Sequence, residues 1–111
     1  NGTKENFLLQ SNQRFLILKD NNKVIGTTLI TKKNDPIKGI SSFFLDYVCI
    51  KEEYRHIGLG KRIFEEIEKI AKDEKVNKIE LTSNKNRKDA INLYLKQGMK
   101  IKDTNYFEKN I

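Results

Sequence analysis

Phe43-Phe44-Leu45-Asp46-Tyr47-Val48-Cys49-Ile50 is a nearly unbroken apolar run that leads through Lys51-Glu52-Glu53-Tyr54 into Arg55-His56-Ile57-Gly58-Leu59-Gly60-Lys61-Arg62. The first stretch holds one acid, Asp46, and its length suits a strand buried on both faces. Beyond the two glycines the period changes. Leu59, Ile63, Phe64, Ile67, Ile70 and Ala71 recur at three- and four-residue spacing, which is one apolar stripe on a helix. Glu65, Glu66, Glu68, Lys69 and Lys72 fill the other face. The expected unit is a buried strand, a glycine loop, and a helix from about Gly58 to about Asp73.

Upstream, residues 14–19 carry Phe15, Leu16, Ile17 and Leu18, and residues 24–30 carry Val24, Ile25, Leu29 and Ile30. Asp20-Asn21-Asn22-Lys23 between them is turn chemistry, so a hairpin is expected. Pro36 lies in a polar stretch that reads as a turn. Downstream, residues 76–82 alternate with Val76, Ile79 and Leu81 as a strand core. A second helix is expected over 87–97, with Ala90, Ile91, Tyr94 and Leu95 on one side, Asn86 as N-cap and Gly98 as C′. Residues 99–111 read as a final strand or two, broken near Asp103-Thr104-Asn105. The order is strand, strand, strand, helix, strand, helix, strand: a mixed α/β sheet with an antiparallel front half and a parallel strand–helix–strand behind it.

The 111 residues suit one domain. Hydrophobic residues at 37% are enough to fold, and charged residues at 33% give a heavily solvated surface. No stretch approaches a membrane span, and no secretory leader opens the chain. Cys49 is the only cysteine, so no internal disulfide can form, which is compatible with a reducing cytosol. One His and one Cys provide no metal-ligand cluster. The net charge of +7 favours an anionic partner, nucleic acid or a phosphorylated cofactor. The basic residues are scattered rather than clustered, and no helix–turn–helix, zinc-finger or RNA-binding signature accompanies them.

A glycine loop that opens a helix binds anions, because free N–H groups and the helix dipole face outward there. Gly58 and Gly60 would let the backbone approach phosphate oxygens, and Arg55, Lys61 and Arg62 add charge. A Walker loop does not fit, since Gly60-Lys61 is followed by Arg62. A Rossmann fingerprint does not fit either, since Ile63 stands where its third glycine belongs.

Arg55 to Gly60 matches Arg/Gln-x-x-Gly-x-Gly/Ala, the central motif of the GNAT superfamily of N-acetyltransferases, which this chain resembles. A second family segment appears as Asn86, Ala90, Leu93-Tyr94 and Gly98-Met99. The resemblance runs from about Val24 to the C-terminus. It implies an α/β (α+β) fold with a mixed, mostly antiparallel central sheet flanked by helices. The family begins with a strand and two helices, whereas Asn1 to Asn12 leave room for the end of one helix. A single domain, residues 1–111, lacking the usual first strand and helix, is therefore expected.

The resemblance also implies acetyl-CoA as cosubstrate, a cytoplasmic setting, and an amine-bearing small molecule or peptide as acceptor, without nucleic acid, membrane or metal; a homodimer is compatible with it. The loop Arg55, His56, Ile57, Gly58, Leu59, Gly60, Lys61 and Arg62 would hold the pyrophosphate, with Asn86 and Tyr94 contributing from the second segment. The pantetheine arm would pair with the strand edge beside Val48, Cys49 and Ile50. A splay or bulge there would free N–H groups to polarise the thioester oxygen. Tyr94 would return a proton to the departing thiolate; a phenol near pKa 10 against a thiol near 8.5 makes this uphill by about 2 kcal/mol. Asp46 is the candidate base for the amine, since a carboxylate in an apolar strand needs a partner. His56 is expected to offer its backbone N–H, and Cys49 to be a small buried residue. The alternatives are a coenzyme A-binding domain of this fold without turnover, and a basic module that binds nucleic acid or another anion.

Overall fold

The structure, a computed structural model, describes residues 3–10, 12–55 and 57–111. Strands β1 (Thr3–Gln10), β2 (Gln13–Asp20), β3 (Lys23–Asp35) and β4 (Ile40–Ile50) are followed by a 3-10 turn (Glu52–Tyr54), helix α1 (Leu59–Asp73), strand β5 (Lys78–Leu81) and helix α2 (Lys88–Lys96). They form one five-stranded sheet in the order β1-β2-β3-β4-β5. The first three pairings are antiparallel and β4–β5 is parallel, as the sequence pattern anticipates.

The β2–β3 hairpin closes through Asn21 (φ 49°) and Asn22 (φ 68°). Asn is one of the few residues besides Gly that enters the left-handed region readily. At the Pro36 turn, Asp35 Oδ1 accepts the N–H groups of Ile37 at 3.0 Å and Lys38 at 3.1 Å. The core joins the sheet to α1: Leu16, Leu18, Ile30, Phe43 and Leu45 are buried with Ile63, Phe64 and Ile67. Each such side chain stabilises by roughly 1.5–3 kcal/mol relative to exposure. The approach is close, since a Cβ on Gly26 would meet Ile63 Cδ1 at 2.7 Å.

Both helices end in the same way. Lys75, at φ 58°, is the left-handed residue after α1; its N–H bonds Lys72 O and that of Val76 bonds Ala71 O. Gly98, at φ 88°, does this after α2, with Gly98 N–H on Leu95 O and Met99 N–H on Tyr94 O. These are Schellman closures. They explain two departures from the sequence reading. Val76 is spent closing α1, so β5 begins at Lys78. Met99 is spent closing α2, and residues 99–111 form no strand.

Ile101, Tyr106, Phe107 and Ile111 in that segment are exposed. Apolar residues alone do not make a strand when no neighbouring edge takes up the backbone groups. At the other end, β1 occupies the region where the sequence left room for a helix end; it pairs with β2, so its backbone groups gain a partner there. α2 starts at Lys88 with Arg87 as N-cap and no side-chain cap. Asn86 is not the cap, because Asn84 Oδ1 turns the chain first by accepting Asn86 N–H at 2.9 Å. Leu95 is 45% exposed, and Leu93 packs against the core in its place.

Candidate active site

β4 and β5 share a short ladder, from Ser42↔Lys78 to Leu45↔Leu81. β5 stops there, while β4 continues to Ile50 against β3. From Asp46 onward, one edge of β4 therefore has no strand beside it. The same stretch is bulged. Leu29 pairs with Asp46 but Thr27 pairs with Cys49, so β4 uses one residue more than β3. Tyr47 takes up the excess at φ 54°. Fully buried Thr28 pins the bulge by donating its hydroxyl to Asp46 O at 3.2 Å. After the bulge Val48 and Ile50 pack against the core, while Tyr47 and Cys49 are exposed. The expectation of a strand buried on both faces, with Cys49 buried in it, is thereby corrected.

A cleft of about 230 Å³ opens where the strands part. Its walls are β4 from Leu45 to Cys49, the end of β5 at Leu81 and Thr82, and Arg87 and Tyr94 of the α2 segment. It thus brings together Asp46, Val48, Cys49 and Tyr94, which sequence reasoning singled out, and Arg87, which it did not. Arg87 stands seven residues before Tyr94; that two-turn spacing on one helix face is the only signal that could have drawn attention to it. Tyr94 is 8% exposed and its ring lies 5.6 Å from that of Phe64, tilted by 58°. Burial raises the phenol pKa above its ordinary value, Arg87 opposes the rise and Cys49 adds to it. Asp46 is half-buried.

The loop after β4 is fixed at both ends. Lys51 N–H bonds Ile25 O at 2.9 Å, and Arg55 Nε donates to Ile50 O at 3.0 Å. Gly58, at φ 86°, is the N-cap of α1; it supplies no side-chain cap, and the first turn holds no acidic residue. The ladder of α1 opens with Arg62 N–H on Gly58 O at 3.1 Å, which leaves the N–H groups of Leu59, Gly60 and Lys61 outside it. A Cβ on Gly58 would meet nothing within 4 Å. At Gly60 a packing demand is present as well. A Cβ there would lie 2.7 Å from Leu93 Cδ2 and 3.4 Å from Ile50 Cδ1, so its missing side chain serves helix packing. Ile57 and Lys61 are exposed, Leu59 and Arg62 half-buried, and Asn86 is exposed and away from the cleft lining. His56 lies outside the described residues.

A wider depression of about 340 Å³ lies on α1 among Glu65, Glu68, Lys69, Lys72 and Asp73. It is an open surface of mixed charge with none of the residues singled out above. No helix among the described residues is long and apolar enough to cross a membrane, and no group of three or more potential metal ligands occurs among them.

A sequence model of the acetyltransferase (GNAT) family matches residues 2–99. No curated protein sequence matches. Among solved structures, a ribosomal-protein-alanine N-acetyltransferase from Brucella melitensis biovar Abortus 2308 superposes with a TM-score of 0.78 at 16% identity, over 94% of this chain and 75% of that one. An aminoglycoside acetyltransferase from an uncultured soil metagenomic sample gives 0.86 at 12%, over 94% and 69%. A predicted acetyltransferase from Clostridium acetobutylicum, solved with acetyl-CoA, gives 0.73 at 21%, over 89% and 64%. At these identities the likeness is one of fold.

Proposed function

Because the chain belongs to the acetyltransferase (GNAT) family, we propose that it is an N-acetyltransferase that moves an acetyl group from acetyl-CoA to a primary amine by direct attack in a ternary complex. The observation that carries this reading is the parting of β4 from β5 after Leu45↔Leu81, which opens a cleft against Tyr94 at the end of the strand that leads into α1. Acetyl-CoA supplies an activated thioester there. The residues fit such a ligand. The α1 N-terminus has N–H groups outside its ladder, no acid in its first turn, and open space at Gly58. These are what a pyrophosphate requires. The β4 edge beside Val48, Cys49 and Ile50 suits an amide-bearing arm.

Forming the C–N bond and breaking the C–S bond leaves two protons to move. One leaves the amine nitrogen, and Asp46, half-buried on the cleft wall, would take it directly or through water. The other must reach the released sulfur, and Tyr94 Oη would give it. Burial keeps that phenol protonated at neutral pH and makes the transfer harder than for an exposed tyrosine; Arg87 eases it. A single thiol and this cosubstrate fit a reducing cytosol.

Thermal shift with acetyl-CoA, followed by an amine screen read by thiol release, tests the reading. Stabilisation with turnover is expected. Stabilisation without turnover on any amine would leave a coenzyme A-binding domain, and no stabilisation would remove the cosubstrate altogether.

A further inference from the structure

β5 ends the sheet, so its outer edge, from Lys78 to Leu81, has no strand beside it among the described residues. An open edge is a template for another strand. β5 is also two-faced. Ile79 and Leu81 pack against the core, whereas Lys78 and Glu80 lie on the other face and pair at 3.6 Å. The chain carries a segment of matching character. Residues 101–111 are all exposed, with Phe107 at 89%. Among the described residues, the only backbone hydrogen bond made within 100–111 is Thr104 N–H on Lys102 O at 3.1 Å. When extended, residues 106–111 put Phe107 and Ile111 on one face and Glu108 and Asn110 on the other. The radius of gyration is 14.6 Å, against about 13 Å for a compact domain of this size, as suits a chain with a projecting segment.

We propose that two copies of this chain exchange residues 106–111, each laying them as an added strand on the outer edge of the other's β5. Backbone N–H and C=O groups open on both sides would then pair. Phe107 and Ile111 would extend the apolar face of Ile79 and Leu81, and Glu108 and Asn110 would lie on the face of Lys78 and Glu80. Residues 99–105 give the segment a reach of up to about 23 Å beyond the end of α2. In this structure the chain's own β5 does not take the segment up, since β5 pairs with β4 alone among the described residues. Each copy offers one such segment and one such edge, so the exchange closes at two copies. The inference is independent of the acetyltransferase reading.

Sedimentation equilibrium over a range of protein concentrations should show a monomer–dimer equilibrium. Phe107→Asp with Ile111→Asp should weaken the dimer by at least about tenfold. The urea midpoint of the dilute protein should not move, because both side chains are exposed in the single copy. Amide hydrogen exchange locates the contact: at high concentration Lys78 to Leu81 and residues 106–111 should slow together, and on dilution both should exchange faster. A monomer at every concentration overturns the proposal, as does a dimer that the double substitution leaves intact. Slowing of both segments that is independent of concentration would mean that the segment docks on its own β5, and slowing at β1 in place of β5 would put the partner on the opposite edge; either result overturns it.

Discussion

Leu93 of α2 occupies the place where a side chain on Gly60 of α1 would have to go, with Leu93 Cδ2 only 2.7 Å from a Cβ built there. The two helix segments that border the candidate site are thus seated on each other. A methyl group at Gly60 would require the end of the Leu93 side chain to move.

Gly60→Ala should therefore destabilise the fold by about 1–3 kcal/mol as an overpacking change, less the fraction of a kcal/mol that Ala gains in a helix. Gly60→Ala with Leu93→Ala should recover part of that loss relative to the sum of the single changes. Urea denaturation of the four proteins measures the coupling. Additive losses would mean that the contact is relieved elsewhere.

At Gly58 the constraint is φ, not space. Asn and Asp both tolerate the left-handed region and differ by one charge. Gly58→Asn should keep most acetyl-CoA affinity. Gly58→Asp should lose it by at least about tenfold more, because on the proposed reading the added carboxylate would face the phosphates. Calorimetry on both variants decides; equal affinities would exclude the loop as the phosphate site.

Tyr94→Phe keeps the ring that packs on Phe64. Acetyl-CoA binding should survive while kcat falls by about ten-squared to ten-fourth, the range for a general acid; parent-like turnover would exclude the role. The same variant reads the phenol's titration. Its pKa is raised in the folded state, so the stability linked to the protonated phenol is fully present below the unfolded value of about 10 and is lost as pH rises through the folded value. The stability of the parent relative to Tyr94→Phe should be constant up to about pH 10 and decline above it. A decline beginning near neutrality would contradict the raised pKa.

Lys75 holds the left-handed position of the α1 Schellman closure, where Gly98 stands after α2. Lys75→Gly should stabilise the protein by about 1 kcal/mol, by removing the Cβ strain of a left-handed residue. A lower urea midpoint would refute this.

The strand, glycine loop and helix around Gly58 were legible because the apolar period changes there from continuous to helical within a few residues. The hairpin was legible because Asn21-Asn22 can take the dihedrals that its turn requires. Cys49 was misread because a bulge changes which residues face inward, and no local pattern marks the extra residue. Residues 99–111 were misread because a strand needs an edge to pair with, and a sequence names its residues but not its neighbours. Arg87 drew no attention because only the parting of β4 and β5 brings it to the lining of the cleft. Asp46 and Tyr94 were singled out through the strand pattern and the family motif respectively; that they line one cleft is a fact of topology.

The extra residue at Tyr47 also makes β4 sensitive to length in a way that it is not to composition. It sets a reading frame: inward positions are odd-numbered at Phe43 and Leu45 and even-numbered at Val48 and Ile50. Exchanging one side chain leaves the frame intact. Deleting Tyr47 would remove the bulge and return β4 to plain alternation: Val48 and Ile50 would still face the core, opposite Thr28 and Gly26, but the kink that turns the free edge of the strand would be gone. Ile50 would keep its place beside Gly60, and the wall of the cleft would be rebuilt although no residue of the loop had changed. Variation in this strand should therefore be confined to substitutions.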